Sequence, residues 1–278
     1  MNIEFERGSE MKRAADVDFT IYGDDMQFVE IYLGPYESIV AEAGAMMYMD
    51  ENIKMKAIFG DGSGRAQGKG LMGKMLGAGK RILTGESLFM TDFTNTGREK
   101  RPVAFAGPYP GKIIPVDIGD YNGELICQRD SFLCAAKGIA IEIAFQKKIG
   151  VGLFGGEGFI MQRLIGDGLA FIHAGGTVIE KQLKPGEVLK LDTGCLVAMT
   201  STVDYDVEMI GDIKSALFGG EGLFLATLRG PGTVWLQSLP FSRLANRIFS
   251  AGSKGRSSGK GEGSILGSFG IGDLFGED

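Results

Sequence analysis

Leu153-Phe154-Gly155-Gly156-Glu157-Gly158-Phe159-Ile160 returns as Leu217-Phe218-Gly219-Gly220-Glu221-Gly222-Leu223-Phe224. It returns more weakly as Ile82-Leu83-Thr84-Gly85-Glu86-Ser87-Leu88-Phe89. A segment written three times at wide spacing marks a chain built of repeated supersecondary units, each too small to bury its own apolar face. The match extends outward from these segments. Leu33 to Met49 aligns without a gap on Leu183 to Met199, setting Leu33 on Leu183, Pro35 on Pro185, Glu37 on Glu187, Gly44 on Gly194 and Met49 on Met199. A weaker middle copy starts at Ile113, with Tyr121-Asn122-Gly123-Glu124 in place of the proline turn. Gly97, Gly168 and Gly232 close the three copies, and an aromatic residue follows each: Phe105, Phe171 and Trp235.

Short apolar runs separated by glycine read as strands and turns. Asp18 to Gly23, Gln27 to Leu33 and Ser38 to Glu42 are expected strands. Asn52 to Phe59 alternates, setting Ile53, Met55 and Ala57 against Lys54 and Lys56. No long helical pattern separates the strands, so βαβ units are excluded and the fold class is all-β. Helix is expected only in pieces: single turns at 148–154 and 212–218, and a short amphipathic helix over 240–249. The expected organisation is a flexible leader at 1–18, a triplicated β body at 19–249 with units near 19–106, 107–174 and 175–249, and a disordered Gly/Ser tail at 250–278. A Gly-rich basic insertion, 60–81, interrupts the first unit.

The chain carries 35 acidic against 29 basic residues, a net charge of −6, which disfavours a general nucleic-acid binder. Three cysteines (Cys127, Cys134, Cys195) at no metal-like spacing fit a reducing compartment, and the expected location is the cytoplasm. No apolar run is long enough to span a bilayer.

Few residues invite chemistry. Gly68-Lys69-Gly70-Leu71-Met72-Gly73-Lys74 matches half of a phosphate-binding loop, but Met75 stands where a hydroxyl must hold magnesium. The single histidine, His173, lies in the apolar run Leu169-Ala170-Phe171-Ile172-His173 and reads as a core residue. No metal, cofactor or catalytic set is expected. Arg65, Lys69, Lys74, Lys80 and Arg81 form a candidate interaction loop for a protein or an anionic surface. Gly85-Glu86, Gly156-Glu157 and Gly220-Glu221 read as repeated structural turns in which each carboxylate accepts backbone N–H groups.

Gly79-Lys80-Arg81 together with Thr84-Gly85-Glu86-Ser87-Leu88-Phe89 resembles the signature of a family of uncharacterised bacterial and archaeal proteins. That family is related to the Aim-type mitochondrial biogenesis proteins of fungi. The turn from Pro35-Tyr36-Glu37 to Gly44-Ala45-Met46 and the Phe-Gly-Gly-Glu-Gly segments share the resemblance, which covers Phe19 to Leu239. It implies a fold like the trp RNA-binding attenuation protein: three tandem, pseudo-threefold units of double-stranded β-helix type, in a homotrimer. It implies no catalytic residues. The expected function is a non-enzymatic oligomeric scaffold or interaction protein. A small-ligand or RNA-binding module on the same fold is the other reading.

Overall fold

A computed structural model describes residues 17–59, 89–147, 159–209 and 224–254. Among these the chain forms nineteen strands, three one-turn 3-10 segments and one α-helix, all in antiparallel sheets. The strands are β1 (Asp18–Tyr22), β2 (Phe28–Leu33), β3 (Ser38–Glu42), β4 (Met46–Met49), β5 (Ile53–Phe59), β6 (Phe89–Asn95) and β7 (Arg101–Ala106). They continue with β8 (Gly111–Asp117), β9 (Glu124–Gln128), β10 (Phe132–Ala136), β11 (Ala140–Lys147), β12 (Phe159–Ile165) and β13 (Leu169–Gly175). The last are β14 (Val178–Leu183), β15 (Val188–Asp192), β16 (Leu196–Thr200), β17 (Asp204–Met209), β18 (Phe224–Arg229) and β19 (Gly232–Gln237).

They assort into four sheets. The first runs β1-β2-β7-β4, the second β5-β6-β3-β10-β13-β8, the third β11-β12-β9-β16-β19-β14, and the fourth β15-β18-β17. Three cores lie between successive sheets. Val29, Ile31, Val103 and Phe105 of the first sheet meet Ile39, Phe93, Leu133 and Phe171 of the second. Phe132, Ala170 and Ile172 of the second meet Leu125, Leu164 and Trp235 of the third. Met161, Leu196 and Val234 of the third meet Val207 and Leu228 of the fourth.

This stacking explains two kinds of strand sequence. An outer strand has one dry face and alternates: in Phe28-Val29-Glu30-Ile31-Tyr32-Leu33, every second residue is fully buried. An inner strand is dry on both faces and loses its alternation, as in Phe132-Leu133-Cys134-Ala135-Ala136, where all five are buried. Small residues suit such a strand because stacked sheets approach it from both sides. The edge strand β5 differs from the alternation expected of it. Ile53 is buried, but Met55 and Ala57 are exposed, since β5 lies at the border of the second sheet, with a strand partner on one side only.

The turns follow the sequence match. In Gly34-Pro35-Tyr36-Glu37, Gly34 N–H donates to Glu37 Oε2 at 2.7 Å. In Lys184-Pro185-Gly186-Glu187, Lys184 N–H donates to Glu187 Oε2 at 2.9 Å. Tyr36 and Gly186 both take a left-handed backbone, at φ 64° and 78°. That conformation suits glycine and strains tyrosine. Register shifts also recur: β4 slips against β7 between Met46 and Tyr48, β10 against β13 between Phe132 and Cys134, and β16 against β19 between Leu196 and Ala198. The same registers place Ala104, not Phe105, in the position held by Phe171 and Trp235.

The C-terminal helix α1 (Phe241–Lys254) follows Pro240 and runs five residues past the expected end at Phe249. No helix among the described residues is long and apolar enough to cross a membrane.

Candidate functional site

Every residue singled out in the sequence as an interaction loop or a repeated Gly-Glu turn lies outside the described residues. This holds for Arg65, Lys69, Lys74, Lys80 and Arg81, and for Gly85, Glu86, Gly156, Glu157, Gly220 and Glu221. The strands that flank them are in place. The segments 60–88, 148–158 and 210–223 each connect an antiparallel pair, β5 with β6, β11 with β12, and β17 with β18.

The polar chemistry among the described residues gathers at two places. One is the outer face of the first sheet. The alternation that buries Val29, Ile31 and Leu33 turns Phe28, Glu30 and Tyr32 outward. Three tyrosine hydroxyls converge on the Glu30 carboxylate. Tyr48 donates to Oε1 at 2.5 Å, Tyr22 donates to Oε2 at 3.2 Å, and Tyr32 donates to Oε2. Partial burial works against the ionised carboxyl. The three hydroxyls outweigh it, and the Glu30 pKa ends below the ordinary value. In return Tyr32 and Tyr48 hold their protons more tightly: Tyr32 is raised chiefly by Glu30, and Tyr48, through burial and Glu30, is pushed up to about 12. Phe28 stacks on Tyr22 at 4.9 Å and meets the Tyr48 ring edge-on at 6.4 Å. The result is an aromatic, carboxylate-centred surface reaching the β4 edge. Its signal in the sequence was the outward half of the β2 alternation.

The other place lies at the end of β3. Burial raises the Glu42 pKa to about 7, the charge of Asp130 adds to the rise, and Arg129 opposes it. Glu42 and Asp130 in turn help keep Tyr109 protonated, after burial, to about 12. Glu42 acts in the same way on the fully buried Cys127. A carboxyl that titrates near 7 when folded and near 4.5 when free binds more protons in the folded chain between those values. The stability it contributes is therefore fully present below the lower value and is lost as pH rises through the upper one. Glu42→Gln is expected to flatten this fall, read as urea midpoints from about pH 5 to 8 against the parent chain. An identical pH slope in both proteins refutes the assignment. His173 contributes the opposite slope, because burial lowers its pKa, so the difference between the two proteins is the quantity to read.

His173 is 1% exposed, with Tyr109 edge-on at 4.6 Å. A Cβ on Gly107 would sit 2.3 Å from its ring, so glycine there makes room for the imidazole. The histidine is a packed core group, as its apolar run implied. The thiols of Cys127, Cys134 and Cys195 are all held protonated above the ordinary range, chiefly by burial. Among the described residues no group of three His, Cys, Asp or Glu is placed to hold a metal ion.

Two strand edges complete the site. β4 is bonded to β7 alone, and β15 to β18 alone. Their counterparts by sequence match and register, β10 and β16 for β4 and β3 for β15, each have a strand on both sides. The exposed edges offer backbone N–H and C=O groups in a row, with apolar side chains beside them.

The profile of the family described as Mitochondrial biogenesis AIM24 matches residues 19–239. An uncharacterized protein of Streptococcus pyogenes is 31% identical over 229 residues, covering 80% of this chain and 86% of its own. The crystal structure of a Streptococcus pyogenes protein aligns with a TM-score of 0.66 at 24% identity, over 84% of this chain and 99% of that one. That likeness shows the fold.

Proposed function

The chain belongs to the Mitochondrial biogenesis AIM24 family, and from that premise we propose that it is a non-enzymatic, self-associating scaffold. In this reading the body is three tandem copies of one six-strand unit of double-stranded β-helix type, and the working form is a homotrimer. One observation carries it: the order of strands within the sheets repeats. The triples β2-β7-β4, β8-β13-β10 and β14-β19-β16 have the same internal order, as do β5-β6-β3, β11-β12-β9 and β17-β18-β15. The recurrent register shift and the paired proline turns support the same reading. Each unit then spans two neighbouring sheets, and a chain of such units ends in half-sheets that need partners.

Contact with a protein or an anionic surface is assigned to the basic segment 60–81, which has no counterpart in the other two copies. Native mass spectrometry of the full chain and of a chain lacking 61–79 tests the whole reading, with sedimentation against anionic vesicles as the second readout. Both proteins are expected as trimers, and only the full chain is expected to sediment. A monomer at micromolar concentration ends the scaffold reading. Equal sedimentation of the two chains removes the role of the loop. A co-purifying small molecule or RNA would favour the ligand-binding reading instead.

A further inference from the structure

We propose that the open edge of β15 in one copy of the chain pairs antiparallel with the open edge of β4 in a second copy, joining chains head to tail. The inference rests on the three-copy reading above and adds the surface, the partner and the register.

The argument starts from the two joints inside the chain. At the first, β3 pairs with β10: Ala41 with Cys134, Val40 with Ala135 and Ile39 with Ala136. At the second, β9 pairs with β16: Cys127 with Ala198, Ile126 with Met199 and Leu125 with Thr200. The two joints are the same joint. The second strand of one unit bonds to the third strand of the next, in the same register. Three units have three such second strands and three such third strands, and two joints use two of each. The unused pair is β15, from the last unit, and β4, from the first.

Edges alone prove little, since β5, β8, β11, β14 and β17 are also edges. Those belong to strand positions that border a sheet in every unit where no added strand covers them. β4 and β15 are different, because their counterparts are interior. Their side chains register the difference. β10 and β16 are buried throughout, whereas in β4 Met47 is 55% exposed, Tyr48 40% and Met49 36%. Val188 of β15 is 51% exposed where its counterpart Ser38 is buried. The two edges cannot be covering each other within one chain, or these residues would be buried.

Carrying the internal register across sets Leu191 opposite Tyr48, Lys190 opposite Met49 and Leu189 opposite Asp50. Leu189 and Leu191 already pack partly on the core between the third and fourth sheets. The joined sheet would run β17-β18-β15 into β4-β7-β2-β1 and continue the stack. Lys190 stands where the internal joints hold Val40 and Ile126. Its alkyl stem can cover Met49 while the ammonium reaches water, and a lysine on an edge also discourages indiscriminate strand pairing. The contact is heterologous, using one surface on each copy, so it closes into a ring when the rotation per chain divides a full turn.

Two differently tagged full-length chains, one with Met49→Cys and one with Lys190→Cys, are co-expressed and treated with a short bismaleimide. The expected product is a covalent dimer carrying both tags, absent when either variant is expressed alone; those controls also account for Cys195. A doubly substituted chain that cross-links without any gain in mass would place the joint within one chain and overturn the proposal. A trimer by native mass spectrometry with no mixed cross-link would overturn the register and leave the scaffold reading standing. A monomer would remove both.

Discussion

Phe171→Ala is expected to lower the unfolding free energy by about 3–5 kcal/mol, the range for emptying a buried aromatic site. Phe171 is fully buried in the middle of β13. It is held from both sides, its backbone opposite Cys134 of β10 and Pro115 of β8. The ring meets Phe19 edge-on at 4.9 Å, so it also fixes β1 against the second sheet. A void there has no easy way to collapse, because the walls are hydrogen-bonded strands rather than movable loops. A domain's whole stability is about 5–15 kcal/mol, so the variant should melt far below the parent or fail to fold. Phe171→Leu keeps most of the volume and should cost less than about 1.5 kcal/mol. Urea unfolding of both variants is the measurement. If the alanine variant loses under about 1 kcal/mol, the core between the first two sheets is not packed as described.

Asn95→Ala is expected to cost about 3 kcal/mol by a different route. Asn95, at the end of β6, is completely buried, and its amide is saturated. The two Nδ2 hydrogens face three acceptors, Leu33 O at 2.8 Å, Glu99 O at 2.8 Å and, through a shared hydrogen, Gly34 O at 3.1 Å, while Oδ1 accepts from Gly97 N–H at 2.8 Å. One side chain thus ties the end of β2, the proline turn and the 96–100 turn together. Removing it takes a donor from buried Leu33 O and partners from Glu99 O and Gly97 N–H nearer the surface, while Gly34 O keeps the Glu37 N–H. A polar group left unpaired in a buried place costs about 1–3 kcal/mol. Asn95→Asp should be at least as damaging, since it loses the donors and sets a carboxylate against three carbonyl oxygens. An aspartate variant as stable as the parent would show that the amide donors are dispensable.

Much of the fold was legible because it depends on local pattern. The gap-free match of Leu33–Met49 with Leu183–Met199 foretold two turns that share their Glu-to-backbone hydrogen bond, Glu37 to Gly34 and Glu187 to Lys184. The limits of β2 and β3 followed from alternation and glycine. The aromatic match was one residue out for Phe105, because a side chain's identity does not carry the register shift that the bulge introduces. Alternation set Ile53, Met55 and Ala57 on one side of β5, and the register agrees, with Met55 opposite buried Phe93; alternation does not report how far the facing sheet reaches, and Met55 is left exposed. The expected end of α1 at Phe249 fell five residues short, because the helix continues through Gly252, a residue type that reads as a breaker.

The candidate site was less legible for a physical reason. Glu30 gains meaning only when Tyr22 and Tyr48 arrive from two further strands to join Tyr32 of its own strand, and Glu42 only when Asp130 approaches from a turn far along the chain. Strand-length apolar runs and turn residues were readable directly, because backbone preference and side-chain alternation act over a few residues. The pairings of β3 with β10 and of β9 with β16 came from the folded chain alone. Backbone hydrogen bonds use the same groups at every residue but proline, so side-chain identity does not name which distant strand a given strand will pair with. For the same reason only the tertiary structure could leave β4 and β15 open at the two ends of the stack.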